Sequence, residues 1–451
     1  MDNDTHTIST EHLSLGINSR GLTFHSLAVR PDGRDTPASD TRDALVGFED
    51  QEDYRQRLFF GSTVGRYANR LPAGKTALKT GAEISLSGPD SVCLHGGDSG
   101  FDTLPWTPIN RPDSSLFPLD DPEHPLPPLP SDPKVPVSEA NALFRLYSPA
   151  GNDGFPCTLE TEALVVVEAP KDGDDSLGLV KIVLRSQIKE DGDKDIELGT
   201  PVNLTVHWGF RLDDCLEPDI LGHSLYIDST ELVALDDKGL ATGSIDKIPQ
   251  DGTGLDFYSS GLDAKEHRKI GASYPDGGID RNFLLTPRQT SPPTPISHVP
   301  QLVLTAPAPT SSSSSSSPTD TRLQLSFKSS LGSVQIYSAP GLDGSGPAKK
   351  SAHERAREDG QGREGDAKNR GYDRDGALFI EFQQPVGTVS HTCATTAEPG
   401  NALQQWLERR TDALGYGDTA QEGGAMSWER DSVVRKGQVW ESWVEVQVKA
   451  V

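Results

Sequence analysis

Short runs of alternating apolar and polar residues fill most of this chain. Alternation with a period of two predicts strands that bury one face, and residues 12–29 contain two such runs around a turn at 18–21, which predicts a hairpin. Three further runs lie at 143–147, 159–168 and 179–188. Several short strands at this spacing, without a repeated strand–helix rhythm, favour an all-β sandwich over a doubly wound parallel sheet.

The second half of the chain continues the strand pattern. Further strands are predicted at 224–227, 301–305, 322–327, 333–338, 377–383 and 439–448. Residues 401–414 differ, because their large apolar residues recur at helical spacing and predict a short amphipathic helix near the C-terminus. These residues are Leu403, Trp406, Leu407 and Leu414. In the last strand, Trp440 and Trp443 fall on opposite faces, so we expect one in the core and one at the surface.

Residues 200–212 are predicted to form one strand with two unlike faces. One face carries Val202, Leu204, Val206 and Trp208, and the other carries Asn203, Thr205, His207 and Gly209. His207 therefore shares its face with polar and small neighbours, where a histidine can perform acid–base chemistry. The alternative is a structural strand histidine with an ordinary hydrogen-bond partner.

Three stretches interrupt the strand pattern. Residues 107–136 are dense in proline and aspartate, residues 286–320 are rich in proline and serine with an unbroken serine run at 311–317, and residues 341–375 are crowded with charged residues and glycine. Such compositions predict flexible insertions in an otherwise folded body. Because the strands on either side of each insertion lack partners of their own, we expect a single domain over 1–451.

Charge and hydropathy narrow the function classes. The formal net charge is -25 over 451 residues, whereas binding to phosphate backbones needs clustered Lys and Arg, so a nucleic-acid partner is not expected. Residues 1–10 lack an apolar segment, and no later window holds the roughly eighteen uncharged apolar residues that a membrane-spanning helix needs. We therefore expect a cytoplasmic protein without a membrane partner.

The four cysteines support the same location. They are Cys93, Cys157, Cys215 and Cys393, and no pair has Cys-x-x-Cys spacing. The pattern indicates neither a zinc site nor a disulfide framework, so we expect reduced thiols and no metal.

Glu381 lies in the middle of an apolar run, on the same predicted strand face as Phe379 and Gln383. Burying an unpaired carboxylate is costly, so this residue must be paired with a cation, be hydrogen-bonded or face a cleft. If His207 points into that cleft, an acid and a base meet in environments that push their pKa values apart, which fits proton-transfer catalysis. The alternative is a structural glutamate paired with an arginine.

Two other segments carry candidate polar groups. Residues 57–70 end in Asn69 and Arg70, which supply directional donors, after glycines that permit a close backbone approach. In residues 92–97 a short apolar run ends in His95, which two glycines follow. By itself this segment favours a turn histidine that caps a loop.

Eight short motifs then follow one another along the chain. They are Gly65-Arg-x-Ala-Asn-Arg70, Leu94-His-Gly-Gly-x-x-Gly-Phe-Asp102, Gly154-Phe-Pro156, Thr200-Pro-Val-Asn-Leu-Thr-x-His207, Leu255-Asp-Phe257, Ile279-Asp-Arg-Asn-Phe283, Val334-Gln-Ile-Tyr337 and Ile380-Glu-x-Gln383. Their sequence and order resemble the aldose 1-epimerase (galactose mutarotase) family over almost the whole chain apart from the insertions.

The resemblance implies a fold, a reaction and a partner. The fold would be a large β-sandwich of the galactose-mutarotase type, a supersandwich, with a sugar cleft and no metal or organic cofactor. The reaction would interconvert the α and β anomers of free hexoses such as galactose or glucose by ring opening and closure. The partner would be a monosaccharide, and the protein would be a monomer or a weak homodimer.

Roles for individual residues also follow from the resemblance. Glu381 would be the general base that takes the proton from the anomeric hydroxyl, and His207 would be the general acid that protonates the ring oxygen. His95 would bind near the ring oxygen or the C1 hydroxyl. The other hydroxyls would be held by Asn69, Arg70, Asp280 and Gln335. One carboxylate and one imidazole suffice for two proton transfers without a redox step or a strong nucleophile.

The chain departs from the family pattern beside the expected acid. Val206 stands where the family usually has Asn, residues 208–211 replace a more common Ser-Tyr-Phe-Asn, Arg281 replaces a frequent His, and residues 385–387 lack the usual Pro-Asp. All the residues expected to transfer protons are kept, so activity is expected, while sugar preference is open.

The departures and insertions suggest one alternative function, and a change of substrate gives a second. The first is a non-catalytic sugar-binding or regulatory protein, since disordered segments often recruit partners. The second is a hexose-6-phosphate 1-epimerase. A phosphate would need a basic pocket, and beyond Arg66 and Arg70 the motif segments show no cluster of Arg or Lys.

Overall fold

Strands dominate the fold, and two antiparallel sheets contain most of them. In the computed structural model the described residues are 4–36, 41–78, 80–121, 139–189, 199–213, 217–250, 254–287, 299–308, 322–350, 352–353, 371–392, 401–413 and 431–451. The nine-stranded sheet contains, in spatial order, β10 (Thr107–Ile109), β11 (Glu139–Ser148), β12 (Leu159–Glu168), β13 (Ser176–Ile188), β27 (Val439–Ala450), β23 (Leu323–Ser329), β22 (Leu302–Thr305), β17 (Ser224–Ile227) and β20 (Arg268–Lys269). The six-stranded sheet contains β16 (Gly209–Phe210), β25 (Leu378–Gln383), β24 (Ser333–Tyr337), β21 (Asp280–Leu284), β18 (Glu231–Leu235) and β19 (Ala241–Lys247).

Smaller sheets and two helices complete the described fold. A four-stranded sheet contains β1 (Thr5–Ser9), β2 (Leu13–Asn18), β3 (Thr23–Val29) and β4 (Arg42–Asp43). Two-stranded pairs are formed by β14 (Gly199–Pro201) with β26 (Val433–Arg435), β5 (Thr63–Val64) with β15 (Thr205–Val206), β6 (Arg70–Pro72) with β9 (Val92–Leu94), and β7 (Gly74–Ala77) with β8 (Glu83–Leu86). The α-helices are α1 (Thr388–Thr392) and α2 (Ala402–Ala413).

The inner faces of the two large sheets form one hydrophobic core. Phe327 of β23 and Ile182 of β13 join it from the nine-stranded sheet, and Val334 of β24 and Phe382 of β25 join it from the six-stranded sheet. The rings of Phe327 and Phe382 stack with centroids 6.1 Å apart, so side chains of both sheets interdigitate there. The predicted all-β sandwich is confirmed, and so are the hairpin β2–β3 and the helix near the C-terminus.

Alternation along β25 separates the core from a second, polar face. Leu378, Ile380 and Phe382 belong to the core between the sheets. Because successive side chains of a strand point to opposite faces, Phe379, Glu381 and Gln383 lie on the other face. The predicted face of Glu381 is therefore the one that points away from the main core.

The prediction of one continuous strand over 200–212 is wrong. The stretch forms three short strands that pair in turn with β26, β5 and β25, so it crosses between parts of the fold and changes partner every few residues. The predicted apolar face is nevertheless correct. Its four residues, Val202, Leu204, Val206 and Trp208, all lie in the main core.

The outer face of the nine-stranded sheet is covered by residues that were expected to lack regular structure. Within 107–121 the chain forms β10 against β11, and Leu116 and Phe117 pack on Val183 and Trp443. Trp443 is therefore only 7% exposed, and Trp440 is fully buried, which corrects the expectation of one surface tryptophan. The rest of the predicted insertion 107–136 lies outside the described residues.

Parts of the other predicted insertions also belong to the body. Strand β22, which was itself predicted, lies inside 286–320, and residues 341–350 and 371–375 are described within the third stretch. Lys350 ion-pairs with Asp43 of β4 at 2.5 Å, and both side chains are at least nine-tenths buried. Burial raises the pKa of Asp43, but Lys350 and His353 outweigh this effect and hold it below the ordinary value.

The remaining expectations concern membranes and thiols. None of the helices in the described ranges is long and apolar enough to cross a membrane. Cys93 and Cys157 are buried free thiols, while Cys215 and Cys393 lie outside the described residues.

Replacing Lys350 by methionine is expected to lower the free energy of unfolding by about 3–5 kcal/mol, because it leaves the buried carboxylate of Asp43 without its cation. Urea unfolding followed by circular dichroism measures this loss. The double variant Asp43→Asn/Lys350→Met removes both charges and should recover much of it. Equal losses in the single and double variants would contradict the ion-pair explanation.

Candidate active site

The polar face of the six-stranded sheet carries one half of the site. Gln335 of β24 lies opposite Glu381 of β25, and Tyr337 lies opposite Phe379 in the same pairing. Asp280, at the start of β21, lies opposite Tyr337. The alternation that buries Val334, Ile336 and Ile380 therefore gathers a carboxyl group, an amide, a phenol and a second carboxylate on one surface.

His207 reaches this surface from the connection between β15 and β16. Its backbone N–H donates to the carbonyl of Ser62 at 2.8 Å, and its carbonyl accepts from the N–H of Gly61 at 2.9 Å. Gly61 has φ of 68°, and a Cβ there would lie 2.5 Å from the carbonyl oxygen of Phe24. The expected close backbone approach at this glycine is thus present, and it fixes the histidine backbone from both sides.

Glu381 and His207 meet inside the protein. The Nε2 of His207 lies 3.3 Å from Oε1 of Glu381, and the two side chains are 11% and 2% exposed. Burial raises the pKa of Glu381 well above its ordinary value of 4.5, and the neighbouring carboxylate of Asp280 raises it further against the opposing charge of Arg70. Burial lowers the pKa of His207 to about 4, opposed by a backbone hydrogen bond. Both shifts favour the uncharged forms, which are a carboxylic acid and a neutral imidazole.

His95 joins the pair through hydrogen bonds with Asn69. The backbone N–H of Asn69 donates to Nδ1 of His95 at 3.1 Å, and the N–H of His95 donates to the carbonyl of Asn69 at 3.0 Å. The imidazole centroids of His95 and His207 are 5.1 Å apart and the rings are nearly perpendicular. Burial, and then the charges of His207 and Arg70, lower the pKa of His95 well below 6.5. A neutral ring that accepts at Nδ1 carries its proton at Nε2, so His95 is a donor in this site.

The hydrogen bond from the N–H of Asn69 to Nδ1 of His95 bears on whether His95, His207 and Glu381 could bind a metal ion. Ligand atoms of His95, His207 and Glu381 all lie within 4.8 Å of one another, which is close enough for three ligands of one ion. A metal would have to bind the Nε2 lone pair of His95, but that nitrogen holds the proton while Nδ1 accepts from Asn69. The donor set therefore fits a hydrogen-bonding site better than a metal centre.

A connected polar group lies beside Glu381 and His207, and it consists of Arg70, Asp280 and Gln335. The carboxylate of Asp280 accepts from Nε2 of Gln335 at 2.5 Å and lies 3.4 Å from Nη2 of Arg70. The side chains of Arg70 and Asp280 are 29% and 37% exposed, so this group forms the accessible side of the site. The structure thus brings together six of the seven predicted side chains.

Asn69, the seventh predicted side chain, acts here mainly through its backbone. It is buried with φ of 65°, and its side-chain oxygen accepts from the N–H of Arg70 at 2.9 Å. Its hydrogen bonds to His95 come from main-chain atoms. The expected contact of its side chain with a sugar hydroxyl stays a prediction.

Three buried polar atoms at this site lack hydrogen-bond partners within the described part of the chain. They are Oε2 of Glu381, Nδ1 of His207 and Oε1 of Gln335. An unsatisfied buried polar atom costs on the order of 1–3 kcal/mol, so a set of them in one place indicates groups that a ligand completes.

Phe59 is a site residue that the sequence interpretation did not single out. Its ring centroid lies 4.7 Å from that of His95 and 6.0 Å from that of His207. Phe379 covers His207 from β25 at 4.9 Å. The available signal was its place in an apolar run between charged residues and Gly61, but such a run is equally typical of a core segment.

The departures beside His207 do not line the site. Val206 and Trp208 are buried in the main core, where the ring of Trp208 contacts Phe24 and Phe210. The guanidinium of Arg211 is also buried and pairs with Asp213 at 2.5 Å. The side chains of Val206 and Trp208 point away from the cleft because they alternate with His207. Arg211 is instead held by its contacts with Asp213 and with the carbonyl of Gly376.

Comparison with known proteins shows which family this chain is similar to. A family model described as aldose 1-epimerase matches residues 34–361. The galactose mutarotase of Rattus norvegicus is 30% identical over 280 residues, which is 62% of this chain and 66% of that protein. The aldose 1-epimerase of Escherichia coli (strain K12) is 30% identical over 253 residues, which is 55% of this chain and 60% of that protein.

Solved structures support the fold. The aldose epimerase homologue from C. elegans gives a TM-score of 0.62 at 16% identity and covers 100% of this chain and 99% of its own. The galactose 1-epimerase from Lactobacillus acidophilus gives 0.58 at 16% identity, covering 98% and 92%. The fold is therefore a galactose-mutarotase-like β-sandwich. The chain belongs to the aldose 1-epimerase family.

The matches to related proteins cover only part of each protein. The alignments span 66% of the rat protein and 60% of the bacterial one. The family match ends at residue 361, before β25. The place of Glu381 in the candidate site is therefore supported by its contact with His207 and by the register of β24 and β25.

Glu381→Gln is expected to raise the free energy of unfolding at neutral pH. The folded-state pKa of Glu381 lies above 4.5, so the wild-type protein loses stability as the pH rises from about 4.5 through the folded-state value, whereas glutamine stays neutral. The gain should therefore be small below about pH 4.5 and grow above it.

Thermal unfolding over a series of pH values measures this difference. Glu408→Gln is the control, because Glu408 is exposed on α2 and its replacement should give no comparable gain. A Glu381→Gln variant that is less stable than the wild type at every pH would show that the carboxyl group is not buried in its neutral form.

Proposed function

We propose that this protein is an aldose 1-epimerase that interconverts the α and β anomers of a free hexose such as galactose or glucose. The observation that carries the proposal is the buried contact between Glu381 and His207, with unpartnered polar atoms on both groups. Membership of the family supports it, as do relatives named galactose mutarotase and aldose 1-epimerase.

The shared proton of the pair fits the reaction. A neutral carboxylic acid beside a neutral imidazole has the same proton count as a carboxylate beside an imidazolium. Sugar hydroxyls that donate to Glu381 replace part of the hydration that burial removed, and this favours the carboxylate. From that state Glu381 takes the proton of the anomeric hydroxyl while His207 gives a proton to the ring oxygen, which opens the ring.

Ring closure completes the exchange of anomers. The open-chain aldehyde turns about its C1–C2 bond, and the hydroxyl that was the ring oxygen attacks the other face of the carbonyl. His207 takes back the hydroxyl proton and Glu381 returns its proton to the new anomeric oxygen, so both groups regain their starting states. His95 donates from Nε2 to the ring oxygen or the C1 hydroxyl, and this hydrogen bond orients the reacting end of the sugar.

The polar group at the rim suits the remaining hydroxyls. Asp280 accepts, Arg70 donates, and Gln335 keeps a buried carbonyl oxygen free for a hydroxyl donor. A small number of fixed donors and acceptors is what a sugar site needs to select one arrangement of hydroxyls. Asn69 contributes by holding His95 and the backbone of Arg70.

The contacts of the arginines favour a free sugar over a sugar phosphate. Arg66 is buried and donates to the carbonyls of Ser148, Pro156 and Cys157, so it is committed to the body of the protein. Arg70 already faces the carboxylate of Asp280. A phosphate would compete with that carboxylate for a single guanidinium group.

The protein is expected to accelerate the decay of optical rotation of freshly dissolved α-D-galactose or α-D-glucose. Glu381→Gln should lower kcat by about 10²–10⁴-fold, because it removes the general base and keeps the shape of the side chain. Polarimetry over a panel of aldoses, with galactose 6-phosphate included, measures both effects.

Glu408→Gln serves as the matched control and should retain wild-type activity, since Glu408 is exposed on α2 and its side chain accepts from Gln404 of the same helix. Preference for the phosphorylated sugar would identify a hexose-6-phosphate 1-epimerase. Calorimetric binding of galactose without any acceleration would identify a non-catalytic sugar-binding protein. Either result would overturn the proposal.

A further inference from the structure

Phe59 occupies a position that the proposed reaction does not yet explain. It follows Leu58, which is 51% exposed, and precedes Phe60, which is 7% exposed and packs into a separate aromatic cluster. Phe59 turns away from that cluster and places its ring against both imidazoles of the site. A large apolar side chain is thereby used at the site instead of in the core.

The backbone of Phe59 is held in a conformation that phenylalanine rarely adopts. Its φ is 70°, in the left-handed region, which is costly for a bulky residue and persists only where the surroundings determine it. The carbonyl of Phe59 accepts from the N–H of Ser62 at 3.1 Å. The carbonyl of Ser62 accepts from the N–H of His207, and Gly61 donates to the carbonyl of His207. The turn that presents the ring is thus attached to the backbone of the histidine that the ring contacts.

The segment on the far side of this turn supports it. Arg57 donates to the carbonyl of Ser345 at 3.2 Å, and the rings of Phe60 and Tyr372 are stacked with centroids 6.4 Å apart. Phe60 also contacts Phe379 edge to face at 5.1 Å. Residues from the predicted third insertion and from β25 therefore limit how far the turn can move away from the site.

We propose that Phe59 is a positioning residue that holds the imidazoles of His95 and His207 in the orientation needed for proton transfer to the sugar. This inference rests on the proposed function and adds a residue to it. The ring centroid lies 4.7 Å from that of His95 and 6.0 Å from that of His207, so the ring fills space beside both imidazoles and restricts their rotation about χ2. Displacing a catalytic group by about 1 Å can lower the rate by about 10²-fold, so this restraint matters for catalysis.

Because the ring packs against both buried imidazoles, we expect it also to limit the access of water to them. Two titratable groups contact His207, namely Glu381 from β25 and His95 from the loop after β9. The charge of Arg70 from β6 acts on both of these groups, and the charge of Asp280 from β21 acts on Glu381. Phe59 adds no charge to this set. Loss of the Phe59 ring should admit water, which favours the protonated form of both imidazoles. It should also allow the imidazoles of His95 and His207 to rotate.

Phe59→Leu is expected to lower kcat for galactose by about ten- to a hundredfold, with KM changed by less than about twofold, because the polar groups that bind the sugar remain. Phe59→Tyr keeps the aromatic ring and should restore most of kcat. Histidine ring signals followed by NMR during a pH titration without sugar should show the titration midpoints of His95 and His207 moving up toward about 6.5 in Phe59→Leu.

Phe117→Leu is the control, because it removes a fully buried ring from the outer face of the nine-stranded sheet, in a cluster that contains neither imidazole. It should lower thermal stability and leave kcat of the folded protein within about twofold of the wild type. Unchanged kcat and unchanged histidine midpoints in Phe59→Leu would overturn the inference, and so would equal losses of kcat in the two variants. If the wild-type protein is inactive on every aldose but the histidine midpoints shift in Phe59→Leu, the proposed function is refuted and the positioning role of Phe59 is retained.

Discussion

The contact between Glu381 and His207 is the constraint on which the rest of the site depends. Burial removes both side chains from the solvent that would stabilise a carboxylate and an imidazolium, so it raises the pKa of Glu381 and lowers the pKa of His207. Such a pair costs stability, and the large core on the other face of β25 offsets this cost. Because solvent does not surround the two side chains, their positions depend on packing and hydrogen bonds with neighbouring residues.

The register of β25 determines whether this site exists. Ile380 and Glu381 are adjacent in sequence and lie on opposite faces, one in the core and one in the site. Because the side-chain period of a strand is two, a slip of one residue would bury Glu381 between the sheets and expose Ile380. The pairing of β24 with β25 therefore fixes Gln335 beside Glu381 and also protects the core. Fold stability and site geometry thus share one set of hydrogen bonds.

Local patterns predicted much of this, and long-range contacts account for the rest. Alternation alone places Glu381 opposite the core face, and the motif order related it to His207 and Asp280. Alternation could not show that 199–210 pairs with three different strands in turn, because the pattern of a strand does not identify its neighbour. Trp443 was misjudged for the same reason, since the segment that covers it has a composition typical of an exposed loop. Phe59 was missed because an aromatic residue in an apolar run is ordinarily core.

The departures from the family pattern can be reinterpreted on the same physical basis. Val206 and Trp208 flank His207 in sequence, yet a period of two sends them into the core while His207 faces Glu381. Their neighbours there are Phe24 and Phe210, so these substitutions adapt the packing behind the histidine and leave the surface that meets a ligand unchanged. Under the proposed function, substrate preference is therefore determined on the opposite face, where Asp280 and Gln335 present their polar atoms beside Glu381 and His207.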